Sequence, residues 1–354
     1  MQFWHAASVP QWTRGRSPPR RSATTLINNS LCLVSERRVL GPGEQDARAP
    51  LGFTTPTLYG GGAEDHTQLP NIGRTRCGVA PPLNPLLLEN IPMTPRPTVL
   101  ITGASSGIGA TYAESFAQRG HDLVLVARDK ARLDELAAHL REDSNVAVDV
   151  LQADLTLPAD LAEVEARLRD DTRIGILINN AGIPQQGRFI DQTADSIDRL
   201  VMLNITALTR LAAAIAPRLT KARAGAIVNI GSVVGLAPEF GMSIYGATKA
   251  FVLFLSQSLS AELASKGVYV QAVLPATTRT GIWGRAGIDL SALPEVMEVR
   301  ELVDAALVGF DRRELVTIPP LHDVAHWETL DEARQALLAG LRQAHAAERY
   351  RPTA

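Results

Sequence analysis

From Thr98 onward, hydrophobic positions alternate between two periods. Short runs rich in Val, Ile and Leu occur at Thr98–Thr102, Leu123–Ala127, Val146–Leu151, Ile174–Ile178, Ala226–Ile230 and Tyr269–Leu274. Each is apolar on successive residues, the pattern of a strand buried on both faces. Between them lie segments of helical period: Ile108–Arg119, Arg132–Arg141, Ala159–Arg169, a long one at Ala194–Arg218 and another at Ile244–Ser265. Gly120 and Gly267 follow two of these as C-terminal caps. After Pro275 the pattern loosens into a helix at Val299–Gly309, a strand at Glu314–Ile318 and a helix at Leu330–Leu341. Strands alternating with helices predict an α/β fold: one doubly wound parallel sheet of Rossmann type, flanked by helices.

In such a sheet, ligands gather at the carboxyl ends of the strands. Thr102-Gly103, Arg128, Asp154, Asn179-Asn180, Ser232 and Pro275-Ala276-Thr277 all fall there and are expected to share one edge.

Residues 1–92 are different. They hold eleven of the 22 prolines, nine arginines, no lysine and both cysteines, Cys32 and Cys77. No period is sustained, so little burial would offset chain entropy. This stretch reads as a disordered or spurious extension, the latter if Met93 is the true first residue. A transit peptide is the competing reading, because Arg14, Arg16, Arg20 and Arg21 precede the first acidic residue, Glu36. Pro10, Pro18 and Pro19 interrupt the amphipathic helix such a peptide needs. Residues 93–354 are then the folded domain.

Composition narrows the class. The chain has 354 residues, 45% hydrophobic and 20% charged, with net charge −2. That suits a soluble globular, cytoplasmic protein and gives no argument for nucleic acid or a membrane surface. Two cysteines supply neither a disulfide framework nor a zinc cluster. His322 and His326 have the spacing of a metal-binding pair, but no third ligand is evident, so no metal is expected.

Two stretches carry chemistry. In Thr102-Gly103-Ala104-Ser105-Ser106-Gly107-Ile108-Gly109 an apolar run gives way to glycines and then to a helix. A helix N-terminus collects unpaired N–H groups and suits a phosphate. Gly103 allows the sharp turn, while Gly107 and Gly109 allow the pyrophosphate and the neighbouring strand to approach. In Tyr245-Gly246-Ala247-Thr248-Lys249 the phenol and the ammonium lie one helical turn apart. A nearby ammonium favours the phenolate, so Tyr245 is expected to have a lowered pKa and to act as an acid–base group.

As a set these residues resemble the short-chain dehydrogenase/reductase family, in its branch with subunits of about 250 residues. The matches are Thr102-Gly-x3-Gly-Ile-Gly109, Asp154-Leu155, Asn179-Asn180-Ala181-Gly182, Asn204, Ser232, Tyr245-x3-Lys249 and Pro275 with Thr277. The resemblance implies a catalytic set of Asn204, Ser232, Tyr245 and Lys249. Tyr245 would be the general acid in reduction and the base in oxidation. Ser232 would bind the substrate oxygen, Lys249 the nicotinamide ribose, and Asn204 a water of the proton relay. Gly103, Ser105, Ser106, Gly107, Ile108, Gly109, Asp154, Leu155, Asn180, Ala181, Gly182, Pro275 and Thr277 would line the cofactor. One departure is Ala276, where the family has glycine, at the turn that would place Thr277 and Thr280 against the nicotinamide.

Cofactor choice turns on the end of the second strand. An acidic residue there would bind the ribose 2′-hydroxyl, but this chain has Ala127 and then Arg128. A guanidinium suits a 2′-phosphate, so NADP(H) is expected over NAD(H), with Asp129 a mild argument against. Segment 281–298 is expected to form a substrate lid. Its Ile282, Trp283, Ile288, Leu290, Leu293, Val296 and Met297, with Phe240 and Met242, suggest a mostly apolar carbonyl or alcohol substrate. The two long helices resemble those that pair subunits in this family, so a homodimer or homotetramer is expected. Two rivals are a non-catalytic cofactor sensor, which has no need of the Ser/Tyr/Lys set, and an epimerase or dehydratase, which usually carries a different glycine spacing.

Overall fold

Strand pleating sends alternate side chains to opposite faces, and here both faces find cover. The computed structural model describes residues 96–184, 187–281 and 295–351. The expected extension 1–92 lies outside them. The elements are β1 (Thr98–Thr102), α1 (Gly107–Gln118), β2 (Leu123–Ala127), α2 (Lys130–Ser144), β3 (Val148–Gln152), α3 (Pro158–Asp170) and β4 (Ile174–Asn179). Then come α4 (Ala194–Val201), α5 (Leu208–Ala222), β5 (Ala226–Ile230), α6 (Ser243–Leu263) and β6 (Tyr269–Val273). The last are α7 (Val299–Asp311), β7 (Val316–Thr317) and α8 (Ala325–Leu341).

The strands form one parallel sheet in the order β3-β2-β1-β4-β5-β6-β7. Val99 and Ile101 of β1, with Leu123 and Leu125 of β2, join a core completed by Tyr112 and Phe116 of α1, Leu133 of α2 and Leu302 of α7. Leu100, Val124 and Val126 point the other way, against Val164 and Leu168 of α3 and Leu211 and Ile215 of α5. The sequence reverses its winding between β1 and β4, and that switch point opens the crevice at the carboxyl edge.

The expected helix from Ala194 is not uniform. Between α4 and α5, residues Met202–Ala207 form a wide π turn, and Asn204 lies in it, 1% exposed. Such turns insert one residue into the helical ladder. The run Ala194–Ala222 has the length and mean hydropathy (1.6) of a membrane span. In this fold 39% of that apolar window is buried, with Leu211, Ile215 and Leu219 in one core with α3 and the sheet.

The last strand is shorter than expected, because only Val316 and Thr317 pair with β6 at the sheet edge. The last helix starts earlier than expected, and its Leu330, Leu337, Leu338 and Leu341 are exposed. His322 and His326 are exposed too, and among the described residues no group of three His, Cys, Asp or Glu side chains could hold a metal.

Candidate active site

The cofactor end is built around the turn after β1. Gly103 and Gly107 both take positive φ, +67° and +57°. A Cβ on Gly103 would stand 2.8 Å from Asn180 Nδ2. On Gly109 it would run into the Gly103 carbonyl and come within 2.6 Å of the same amide. Gly109 therefore serves the packing of the turn itself. Gly107 lies under Thr280, whose Cβ and methyl would be 3.2 Å from an added Cβ. Ser106 is the N-cap of α1, but its hydroxyl makes no capping bond, so no N-cap side chain occupies the first-turn N–H groups. That donor set, with half-buried Ser105, Ser106 and Ile108 around it, fits a pyrophosphate.

The β4 end is locked to this turn. Thr102 Oγ1 accepts from the N–H groups of Asn180 and Ala181, both at 3.0 Å. Asn180 Nδ2 donates to the carbonyls of Thr102 (2.9 Å) and Gly103 (3.2 Å). The Asn180 side chain thus holds the glycine turn, and Ala181 and Gly182 are left as half-buried lining. Asn179 takes another direction: its amide reaches the Leu208 carbonyl (3.3 Å) and Asn229 (3.0 Å), and Asn229 reaches Ser256 (2.9 Å).

At the β2 end, Arg128 is exposed and lies 3.8 Å from Asp154. The Asp154 carboxylate accepts from Thr156 N (3.0 Å) and Oγ1 (2.7 Å). Burial pushes its pKa up, but the Thr156 bonds and the charges of Arg128 and Arg199 outweigh that and hold it below the usual carboxylate range. Leu155 is buried in the core. The Asp129 carboxylate caps α2, accepting from Arg132 N at 3.2 Å, and pairs with Arg132 Nε at 3.3 Å. The acidic neighbour of Arg128 is thereby engaged elsewhere.

The catalytic end joins three elements. Ser232 follows β5 and is 8% exposed, with Oγ donating to the Pro275 carbonyl at 3.2 Å. The hydroxyls of Ser232 and Tyr245 are hydrogen-bonded to each other. Lys249 is buried, its Nζ donates to the Ile230 carbonyl at 2.9 Å, and it stands 5.6 Å from the Tyr245 ring centroid. Asn204 meets this group from the π turn, bonding Thr248 Oγ1 at 3.2 Å. Gly182 sits between them: a Cβ there would be 3.2 Å from Asn204 Oδ1 and 3.7 Å from Lys249 Nζ.

The electrostatics differ from the sequence expectation for Tyr245. Enclosure of its hydroxyl pushes the phenol up to about 12, and the Ser232 hydrogen bond opposes this only in part. Burial brings Lys249 down to about 8. Desolvation disfavours the charged form of each, and at the phenol only the Ser232 hydrogen bond opposes it, not the ammonium as expected. Tyr245 keeps its proton throughout the neutral range.

Ala276 does not take positive φ, so the turn after β6 has no need of the family's glycine. The Thr277 carbonyl accepts from Met297 N at 3.0 Å, and Arg279 N donates to the Met297 carbonyl at 2.9 Å. Of the expected lid, residues 282–294 lie outside the described residues, and Ile282, Trp283, Ile288, Leu290 and Leu293 with them. Phe240 is 51% exposed ahead of α6.

A family model for short chain dehydrogenases matches residues 97–289. The chain belongs to the short chain dehydrogenase family. It is an oxidoreductase family acting on carbonyl and hydroxyl groups. A short-chain dehydrogenase from Sphingobium yanoikuyae, solved in complex with NADPH, is 76% identical with a TM-score of 0.71; the match covers 72% of this chain and 100% of that one. A bulky-bulky ketone specific alcohol dehydrogenase from Comamonas testosteroni is 68% identical with a TM-score of 0.69, covering 73% and 100%. The very-long-chain 3-oxoacyl-CoA reductase of Rattus norvegicus is 34% identical over 180 residues, 50% of this chain and 57% of the relative. The chain spans about half the length of the curated relatives it matches.

Sequence reasoning missed Thr248, the Ile230 carbonyl, and Asn229 and Ser256 as the partners beyond Asn179. Thr248 stands inside the Tyr245–Lys249 stretch and was within reach. A backbone carbonyl such as that of Ile230 carries no sequence signal.

Proposed function

We propose that this short chain dehydrogenase is an NADP(H)-dependent carbonyl reductase or alcohol dehydrogenase with a bulky, mostly apolar substrate. The observation that carries the reading is the convergence of Ser232, Tyr245 and Lys249 at the carboxyl edge of the sheet.

Gly103–Gly109 would hold the pyrophosphate, Ala181 and Gly182 would flank the nicotinamide half, and Arg128 would face the 2′-phosphate. The bound nicotinamide supplies the hydride in reduction and accepts it in oxidation. Tyr245 gives its proton to the substrate oxygen during reduction and takes it back during oxidation. Ser232 donates to the same oxygen, so two hydroxyls meet the charge that builds there. Lys249 binds the ribose, and with Asn204 it returns a proton to Tyr245.

Arg128 and the diverted carboxylate of Asp129 favour a 2′-phosphate over a bare ribose. Phe240 and Met242 beside α6, and the name of the Comamonas relative, support a bulky ketone. The name of the Rattus relative supports a long acyl thioester as the second reading. The proposal includes a cytoplasmic homodimer or homotetramer paired through 194–218 and 244–265, supported by Phe251 and Phe254 exposed on α6.

The test is NADPH consumption over a panel of bulky ketones and 3-oxoacyl thioesters. Tyr245→Phe should lower kcat by about 10²–10⁴-fold while leaving the KM for NADPH within about twofold. Turnover unaffected by that substitution would sink the mechanism.

A further inference from the structure

A cavity of about 400 Å³ opens beside the glycine turn, lined by Ser105, Ala110, Arg132, Glu135, Leu136 and His139. It brings together a residue of the turn that suits phosphate and a cation from the first turn of α2. Arg132 follows Arg128 by four residues, yet the two guanidiniums have different holders. Arg128 stands 3.8 Å from Asp154 at the end of β3. Arg132 is held at 3.3 Å by Asp129, on the side of Ser105. Two arginines thus stand within four residues of each other just after β2, where a ribose 2′-substituent would lie, one paired with Asp154 and the other sharing a cavity with Ser105.

We infer that Arg132 is a second reader of the 2′-phosphate, acting with Arg128 and the Ser105 hydroxyl. The inference rests on the NADP(H) reading above. A phosphate dianion offers three acceptor oxygens, more than one guanidinium edge can satisfy, and Arg binds it through paired N–H groups. Asp129 gives Arg132 a counter-ion and, as the cap of α2, fixes the direction from which the side chain starts. Glu135, which also lines the cavity, repels an anion placed beside it. His139 is occupied with Asp143 at 3.3 Å.

The test is calorimetric titration of the full chain with 2′,5′-ADP and 5′-AMP, which needs no turnover. Arg132→Ala should weaken 2′,5′-ADP by about tenfold, about 1.4 kcal/mol, and leave 5′-AMP within about twofold. Arg132→Lys, which keeps the charge, should recover part of the loss, and Arg128→Ala should weaken 2′,5′-ADP at least as much. If Arg132→Ala leaves 2′,5′-ADP unchanged while Arg128→Ala weakens it, Arg128 reads the phosphate alone and the inference fails. Equal loss of both nucleotides on Arg132→Ala would also overturn it, by showing a general effect on the turn. If the unaltered protein binds the two nucleotides equally well, the NADP(H) reading itself fails.

Discussion

Asn204 grips Ile183 through both ends of one amide: its Oδ1 accepts from Ile183 N, and its Nδ2 donates to Ile183 O, each at 3.0 Å. One side chain thus ties the π turn to the loop after β4 and presents its amide beside Lys249. Asn204→Leu keeps the volume but takes the partner from a half-buried N–H and C=O of Ile183, at a cost of about 1 kcal/mol each. The melting temperature should fall, and kcat should fall about 10²-fold, with NADPH affinity within a few-fold. An unchanged kcat would show that Asn204 takes no part in the proton path.

The shifts at Lys249 and Tyr245 make stability depend on alkaline pH. Lys249 titrates near 8 in the folded chain, below its ordinary value. Between about pH 8 and 10.5 the unfolded chain holds a proton that the folded chain has released, so stability rises with pH across that window. Tyr245 is raised to about 12, so above pH 10 the folded chain keeps a proton that the unfolded chain loses, and stability falls. Relative to Lys249→Met, the unaltered protein should gain about 2 kcal/mol between pH 8 and 10. Denaturant unfolding at several pH values checks this, and parallel profiles for the two proteins would refute it.

Glycines at two positions should respond oppositely to alanine. At Gly109 the new methyl meets the Gly103 carbonyl, and backbone cannot step aside cheaply. Gly109→Ala should lose about 1–3 kcal/mol of stability and most NADPH binding. At Gly340, inside α8, nothing lies within 4 Å of the new methyl. Gly340→Ala should stabilise by about 0.5–1 kcal/mol and leave turnover alone. Thermal melts of both variants decide it.

What could be read from the sequence was local. Thr102–Gly109 and Tyr245–Lys249 are each contiguous, and a spacing within one turn or one helix fixes geometry without knowledge of the fold. The strands were legible because burial on both faces leaves an unbroken apolar run. What escaped depends on partners far apart in the chain. Asn179 and Asn229 meet only because β4 and β5 pair in that register. Asn180 reads as cofactor lining, and that its amide also holds the Thr102 and Gly103 carbonyls depends on the fold. The pKa of Tyr245 was misjudged because the ammonium is visible in the sequence and the enclosure of the phenol is not. The π turn was invisible because its residues are as apolar as those of an ordinary helix.

That turn has an arithmetic consequence. A regular helix rotates about 100° per residue, so Leu200 and Leu219, nineteen positions apart, would end about 100° out of phase. The residue absorbed at Met202–Ala207 removes that surplus, and both leucines are buried. The helix keeps two appointments, one with the core along its length and one with the crevice at Asn204. A single-residue deletion within 202–207 would let the helix close into regular turns, and the segments before and after it would then have to choose between them.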